Sequence, residues 1–395
     1  MVYSYFLLVC FCYSSQVSEF LFYQYHSLLA ITFQVVSLKD QYIPIQVTLE
    51  RKFRHDVETF TGYLESDDEN KHAYAYRGID CESEPTQVSW EEARKKNKRI
   101  MVLADPGMGK STLLKMEAVS NAHSEREKLS NGEITIDDVN FPILLRLYDL
   151  SEKAEEVFDA VIALVQREYP KTSKDIIDLL KKKLENGKCV LMLDALDEVP
   201  GERRNELSRK LDLFVRNYDC PIICTSRIVG YGGSFLTDSK EVEIVPFSQK
   251  QTEKYIRTWF NLADIKDDSV SADGLVRELK DKPQVQGLAQ NPLLLSLICS
   301  LYQEKKISLP ARRCEIYEKA VDYILGEWRE KKKPQLKGRE IAKRRLLEYL
   351  AYHFTCESKE IFSSDDLFDK IIVYPQFDRI FKNDDINTLI LNFVQ

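Results

Sequence analysis

Arg99-Ile-Met-Val-Leu-Ala-Asp-Pro-Gly-Met-Gly-Lys-Ser-Thr-Leu-Leu114 reads, in order, as an apolar strand, a tight glycine loop and the opening of a helix. Ala104 to Ser111 spell A-x-x-x-x-G-K-S, the phosphate-loop pattern, and the flanking strand and helix are the context that this pattern requires. Gly107 and Gly109 let the backbone turn so that successive N–H groups face phosphate oxygens. The helix beginning near Lys110 points the positive end of its dipole at the same anions. Lys110 is expected as an exposed cation with no packing task, reaching the β- and γ-phosphates. The Ser111 hydroxyl would ligate magnesium and Thr112 would support the turn. Asp105, Pro106 and Met108 complete the loop. Ala104 stands where glycine is usual, and it is small enough for the strand end. The expected ligand is ATP with magnesium.

Two further strand ends belong to the same chemistry. Cys189-Val-Leu-Met-Leu-Asp-Ala-Leu-Asp-Glu-Val199 is an apolar run ending in acids. Asp194, at the strand tip, is placed to hold a magnesium shell. Either Asp197 or Glu198 would orient and deprotonate an attacking water. Three acids within five residues repel one another unless a cation sits among them; the plain alternative is a solvated acidic turn. Pro221-Ile-Ile-Cys-Thr-Ser-Arg227 is a third apolar run. In a parallel sheet its tip lies beside the phosphate loop, so Arg227 would sense or stabilise the γ-phosphate. The plain alternative makes it a surface arginine after an interior strand.

Around these motifs, apolar runs of strand length alternate with helical stretches. Strands are expected at Ile100–Ala104, Phe141–Leu147, Cys189–Leu193, Pro221–Thr225 and Val242–Val245. Helices are expected at Ser111–His123, Glu155–Glu168, Ile176–Asn186 and Glu202–Tyr218. Continuous apolar strands between helices indicate a parallel sheet covered on both faces, an α/β three-layer core. After Phe247 every segment reads as helix: Lys250–Phe260, Val270–Lys280, Val285–Leu288, Asn291–Glu304, Arg313–Lys331 and Gly338–Phe354. Before the core, residues 39–97 form an approach segment with a short strand within Tyr42–Leu49 and a polar loop at Glu65–Lys71. A helix starts there after Ser89, with Glu92 three residues on.

Bulk properties narrow the class. The apolar fraction is 44% and the charged fraction 30%, values of an ordinary globular chain. The net charge of −7 argues against a protein whose main task is coating nucleic acid. The basic run Arg329–Arg345, with Lys331, Lys332, Lys333, Lys343, Arg344 and Arg345, reads as a solvated connection, since no aromatic residues interleave it. Nine cysteines show no C-x-x-C pair and no zinc spacing, so buried free thiols in a reducing compartment are expected. Residues 1–38 are an undefined hydrophobic leader. It lacks the opening positive charge of a signal peptide, and Ser14, Ser15, Gln16, Ser18 and Glu19 interrupt it, which argues against a membrane span.

Together these residues resemble the NACHT family of STAND-type signalling NTPases. The likeness rests on A-D-P-G-M-G-K-S-T, the strand ending D-A-L-D-E, the T-S-R tip, Val245-Pro246-Phe247, Asn291-Pro292-Leu293, Leu309-Pro310 and Ile316-Tyr317-Glu318. Glycine is usual in the family where Ala195 stands. The resemblance implies an ASCE-type P-loop core over 98–247, a helical domain over 248–307 and a partial winged helix over 308–395. It implies that Pro292 packs near the adenine; a proline opening a helix is the plain reading of the same residue. The winged-helix histidine of the family has no counterpart in context, because His353 falls inside an expected helix. The chain reads as a fragment, or as a protein that lost its outer effector and sensor modules.

The implied function is an ADP/ATP-dependent conformational switch, a slow ATPase of innate-immune or stress signalling. It would be cytoplasmic and would self-associate or bind full-length NACHT relatives. One rival is an AAA+-type motor, which would need a finger arginine at a ring interface and a lid arginine at the γ-phosphate; separately, Arg203 or Arg204 near the acidic strand is a candidate finger acting on a neighbouring subunit. The other rival is a nucleotide-binding interaction module that does not switch.

Overall fold

A computed structural model describes residues 38–49, 86–153, 156–171, 173–229, 231–233, 235–263, 270–305, 309, 312–325, 340–357 and 364–375. The leader before Leu38, the loop Glu65–Lys71, Cys10, Cys12, Cys81, Pro310, Arg329, Lys331, Lys332, Lys333 and Pro334 lie outside them. The described residues divide into two compact units, one ending at Ala311 and one beginning at Arg312.

In the first unit α1 (Leu38–Gln41) and β1 (Gln46–Thr48) precede β2 (Gln87–Ser89), α2 (Trp90–Lys96) and β3 (Arg99–Leu103). Then come α3 (Lys110–Ser130), β4 (Phe141–Arg146), α4 (Leu147–Lys153), α5 (Val157–Glu168) and α6 (Ser173–Glu185). The sheet is completed by β5 (Cys189–Asp194), β6 (Ile222–Ser226) and β7 (Lys240–Ile244), with α7 (Gly201–Asn217) between β5 and β6. Four helices follow: α8 (Gln249–Leu262), α9 (Ala272–Lys280), α10 (Pro283–Leu288) and α11 (Pro292–Lys305).

The seven strands form one sheet in the order β2-β1-β7-β3-β6-β5-β4. From β7 to β4 all neighbours are parallel. The wholly parallel sheet expected from the sequence is therefore extended at one edge: β1 pairs antiparallel with both β7 and β2. The approach segment is part of the sheet.

Burial follows strand position. The central strand β6 is buried at every residue and β5 at all but Asp194. Such strands lie between two helical layers and read as unbroken apolar runs. At the edge, β4 alternates instead, with Phe141, Ile143 and Leu145 turned inward. An edge strand leaves one row of backbone donors unpaired, which is why Pro142 is tolerated there.

Helix α3 runs about two turns beyond its expected end, to Ser130. The His123–Glu127 contact at 3.4 Å and the Lys128–Glu125 ion pair at 2.8 Å support the polar extension. It stops at Gly132, whose φ of 72° lets Gly132 and Glu133 N–H bond back to the carbonyls of Leu129 and Lys128. Glu125 ties α3 to the start of β4 by accepting from the Asn140 backbone N–H at 2.8 Å. Helix α4 departs from the expectation of a strand through Leu147 followed by a connection. At the start of α2, the Ser89 hydroxyl accepts from Glu92 N–H at 3.2 Å, but Glu92 turns to Lys96 at 2.7 Å rather than back to the cap.

In the second unit, α12 (Arg313–Leu325), α13 (Glu340–Cys356) and α14 (Ser364–Ile372) pack together. Arg344 on α13 reaches Glu318 on α12 at 3.3 Å and Glu348 at 2.9 Å. The described part of the basic run is thus helical. His353 lies in α13 against Tyr349, ring centroids 4.3 Å apart. Helix α14 has no counterpart among the helices expected from the sequence. Of the described cysteines, Cys189, Cys220, Cys224 and Cys299 are buried free thiols, whereas Cys314 and Cys356 are exposed, against the expectation of burial. Among the described residues no helix is long and apolar enough to cross a membrane.

Candidate functional site

The strand order decides what can meet. The chain leaves β3, and β6 is inserted between β3 and β5. All three strands are parallel, so their C-terminal tips share one sheet edge, where open α/β sheets bind ligands. Ala104 N–H donates to the Ser226 carbonyl at 3.3 Å, fixing the phosphate-loop strand to β6. On the other side the Thr225 hydroxyl donates to Asp194 Oδ1 at 2.6 Å and accepts from Ala195 N–H at 3.0 Å. Thr225 thereby orients the carboxylate at the β5 tip.

The loop itself has the backbone that its sequence calls for. Gly107 has φ 79° and Gly109, the residue capping α3, has φ 87°. Both lie in the left-handed region, where a side chain costs about 1–2 kcal/mol. The first turn of α3 carries no acid, leaving its dipole uncompensated toward an anion. Met108 is buried, whereas Pro106 and Ser111 are exposed and Asp105 and Thr112 are half-buried. Lys110 differs from the expected free cation. It is half-buried, and its ammonium donates to the carbonyls of Ala104 at 2.8 Å and Asp105 at 3.1 Å. Burial depresses its pKa; Asp197, Asp105 and Asp194 oppose that, and Arg227 adds to it.

The acidic turn after β5 is more constrained than a solvated turn. Ala195 has φ 62° and ψ 61°, a left-handed conformation in a residue with a side chain, which accounts for glycine being the fitting residue there. Asp197 is nearly buried, its side chain 9% exposed. One of its oxygens accepts from Arg227 N–H at 3.1 Å and the other pairs with Arg227 Nε at 2.8 Å. Glu198 is exposed and pairs with Arg146 at 2.7 Å. Arg146 ends β4 in register with Asp194. Sequence reasoning does not single out Arg146, although an arginine at the tip of a core strand is the same signal that draws attention to Arg227. Arg204 donates to the carbonyls of Val199 at 2.9 Å and Asp197 at 3.4 Å. It braces its own turn, which leaves it poorly placed as a finger for a neighbouring subunit.

The helical segment also reaches the loop. Asn291 Nδ2 donates to the Pro106 carbonyl at 2.9 Å, and Leu293 N–H donates to the Gly107 carbonyl at 3.2 Å. Pro292, half-buried, opens α11 between these two contacts.

The residues at this edge fit a nucleoside triphosphate with a divalent cation. Two left-handed glycines and an acid-free helix start are disposed for an anion, the Lys110 ammonium lies against the loop carbonyls beside them, and an oriented carboxylate stands beyond the intervening strand β6. Among the described residues, no group of three or more His, Cys, Asp or Glu side chains is arranged to hold a metal by itself. A cation between Ser111 and Asp194 would therefore complete its shell with phosphate and water oxygens, the usual manner of magnesium.

Residues 98–263 match the family model of the NACHT domain. No curated protein matches the chain. Among solved structures, PCH-2 from C. elegans aligns with 13% identity and a TM-score of 0.29, over 64% of this chain and 70% of that one. A chain of the HORMA:CdnC:Trip13 complex from E. coli MS115-1 aligns with 14% identity and a TM-score of 0.30, over 56% and 78%. Likeness at this level carries no argument about function.

Proposed function

We propose, residues 98–263 being a NACHT domain of the P-loop NTPase class, that the chain is a nucleotide-dependent switch with slow hydrolysis. The supporting observation is the insertion of β6, which brings Lys110, Asp194 and Arg227 to one sheet edge. In this reading the loop from Ala104 to Thr112 holds the phosphates, with Lys110 neutralising the β- and γ-phosphates. Ser111 and Asp194 hold the magnesium ion, which supplies charge neutralisation at the triphosphate. Pro292, beside the loop, lies against the adenine. Glu198 accepts the proton of the attacking water, and Arg227 senses the γ-phosphate.

Slow turnover follows from the ion pairs. Both acids beyond Asp194 are engaged by arginines, Asp197 by Arg227 and Glu198 by Arg146. Both oxygens of Asp197 and one of Glu198 accept from these arginines, and a carboxylate so engaged is less available to take a proton from water. ADP would favour a closed arrangement of the core (98–247) with the helical (248–307) and partial winged-helix (308–395) parts, and ATP an open, self-associating one. A signalling role in innate immunity or stress, in the cytoplasm, belongs to the same reading.

Light scattering of the full chain with Mg-ADP and with a non-hydrolysable Mg-ATP analogue tests the switch. A larger mass with the ATP analogue alone is expected. Equal mass in both, with nucleotide bound, would favour an interaction module without switching.

A further inference from the structure

We propose that Asn291 is a positioning residue for nucleotide binding: it fixes the Pro106–Gly107 stretch of the phosphate loop from the helical side without touching the nucleotide. The inference rests on the nucleotide reading above and adds the helical segment to the binding apparatus.

The two ends of the Asn291 amide do different work. Oδ1 accepts from Leu293 N–H at 3.0 Å and Leu294 N–H at 3.3 Å, capping α11. Nδ2 donates to the Pro106 carbonyl at 2.9 Å. One residue further along the loop, the Gly107 carbonyl accepts from Leu293 N–H at 3.2 Å. Two successive loop carbonyls are thus turned toward α11.

A trans peptide places its N–H opposite its C=O. Fixing the Pro106 carbonyl therefore turns the Gly107 N–H to the other side, and fixing the Gly107 carbonyl does the same for Met108 N–H. That N–H does point back into the loop, toward the Asp105 carbonyl at 3.4 Å. By holding these carbonyls toward α11, the helical segment leaves the Gly107 N–H turned to the opposite side, where a phosphate oxygen would bind, while the Met108 N–H closes the loop on Asp105.

The anchor is rigid and close. Phe247 N–H donates to the Gln290 carbonyl at 2.9 Å, and the Thr252 hydroxyl donates to the Ala289 carbonyl at 3.3 Å. These bonds tie Ala289 and Gln290, the residues just before Asn291, to the entry of α8. A Cβ on Gly107 would lie 2.8 Å from Asn291 Oδ1 and 2.9 Å from Leu293 Cβ. Gly107 is therefore required by the approach of α11 as well as by its φ.

The substitution Asn291→Ser separates the two roles, and Asn291→Asp, which also places a negative charge beside the loop, is read only together with it. Aspartate and serine cap helices about as well as asparagine, but aspartate lacks the donor and the serine hydroxyl is too short to reach Pro106. The full chain and both variants are titrated with a fluorescent ATP analogue and magnesium, melted thermally, and followed by amide hydrogen exchange at Gly107 and Met108. Both variants are expected to melt within about 2 °C of wild type. They should bind roughly tenfold more weakly and exchange faster at those two amides. Asn291→Ala, which removes the cap too, should also melt lower. Wild-type binding with unchanged affinity in Asn291→Asp and Asn291→Ser overturns the inference alone. So does a loss of affinity accompanied by a fall in melting temperature as large as that of Asn291→Ala, since the role is then only structural. A wild-type chain that binds no nucleotide overturns the nucleotide reading, and this inference with it.

Discussion

Arg146 Nη2 lies 2.7 Å from Glu198 Oε2, joining the tip of β4 to the acidic turn that follows β5. Both side chains are about half exposed, so the pair adds little to stability. Its consequence is geometric: it decides where the Glu198 carboxylate points.

With Glu198 as the base, Arg146 restrains it. Glu198→Gln should retain Mg-ATP and hydrolyse it about 100- to 10,000-fold more slowly in single-turnover assays. Arg146→Gln should raise the single-turnover rate, by up to roughly tenfold, a barrier change of about 1.4 kcal/mol. A lower rate in Arg146→Gln would mean that the arginine orients the carboxylate for reaction instead of holding it back.

Ala195 carries a side chain at φ 62°, a conformation that costs an L-residue about 1–2 kcal/mol. Ala195→Gly should therefore stabilise the chain by about 1 kcal/mol, less the entropy that glycine adds to the unfolded state. Urea denaturation followed by circular dichroism reads this as a higher midpoint with unchanged slope. An unchanged or lower midpoint would show that the turn relaxes around alanine.

The positions of Ala195 and Arg146 mark how far the sequence is legible. Gly107, Gly109 and Lys110 announce the loop because a phosphate cradle needs those residue types in contiguous order. The continuous apolar runs of β5 and β6 announce interior strands because burial on two faces leaves no polar alternation. Pairings across the sheet edge are not legible. The bonds Arg146–Glu198, Arg227–Asp197 and Asn291–Pro106 join residues 52, 30 and 185 positions apart, and no local periodicity encodes them. For the same reason the antiparallel pairing of β1 with β7 leaves no mark in the sequence: a three-residue strand has too few positions to show a pattern.

Acid should weaken the attachment of α3 to β4 through Glu125. Burial by itself would raise the Glu125 carboxyl, but hydrogen bonds from the Lys128 ammonium and from Asn140 outweigh it and hold the group below its ordinary 4.5. The folded state then binds fewer protons than the unfolded one between the two pKa values. The contribution is complete above the unfolded value and is lost as the pH falls through the folded one. Urea midpoints should decline as the pH falls below the ordinary carboxylate range. Glu125→Gln should lower the unfolding free energy at neutral pH by about 1–3 kcal/mol, seen as a lower midpoint, and flatten the decline. An equally steep decline in that variant would assign the acid sensitivity elsewhere.

Nucleotide binding by the phosphate loop is tested most directly by an equilibrium titration of the full chain with a fluorescent ATP analogue, with and without magnesium, beside the Lys110→Ala variant. Because Lys110 also bonds the carbonyls of Ala104 and Asp105, thermal melts accompany the titration to show that the variant stays folded. Saturable, magnesium-enhanced binding by the wild type is predicted, with loss of binding by a folded Lys110→Ala. Equal affinity in the two proteins, or no binding by a folded wild type, would contradict the assignment.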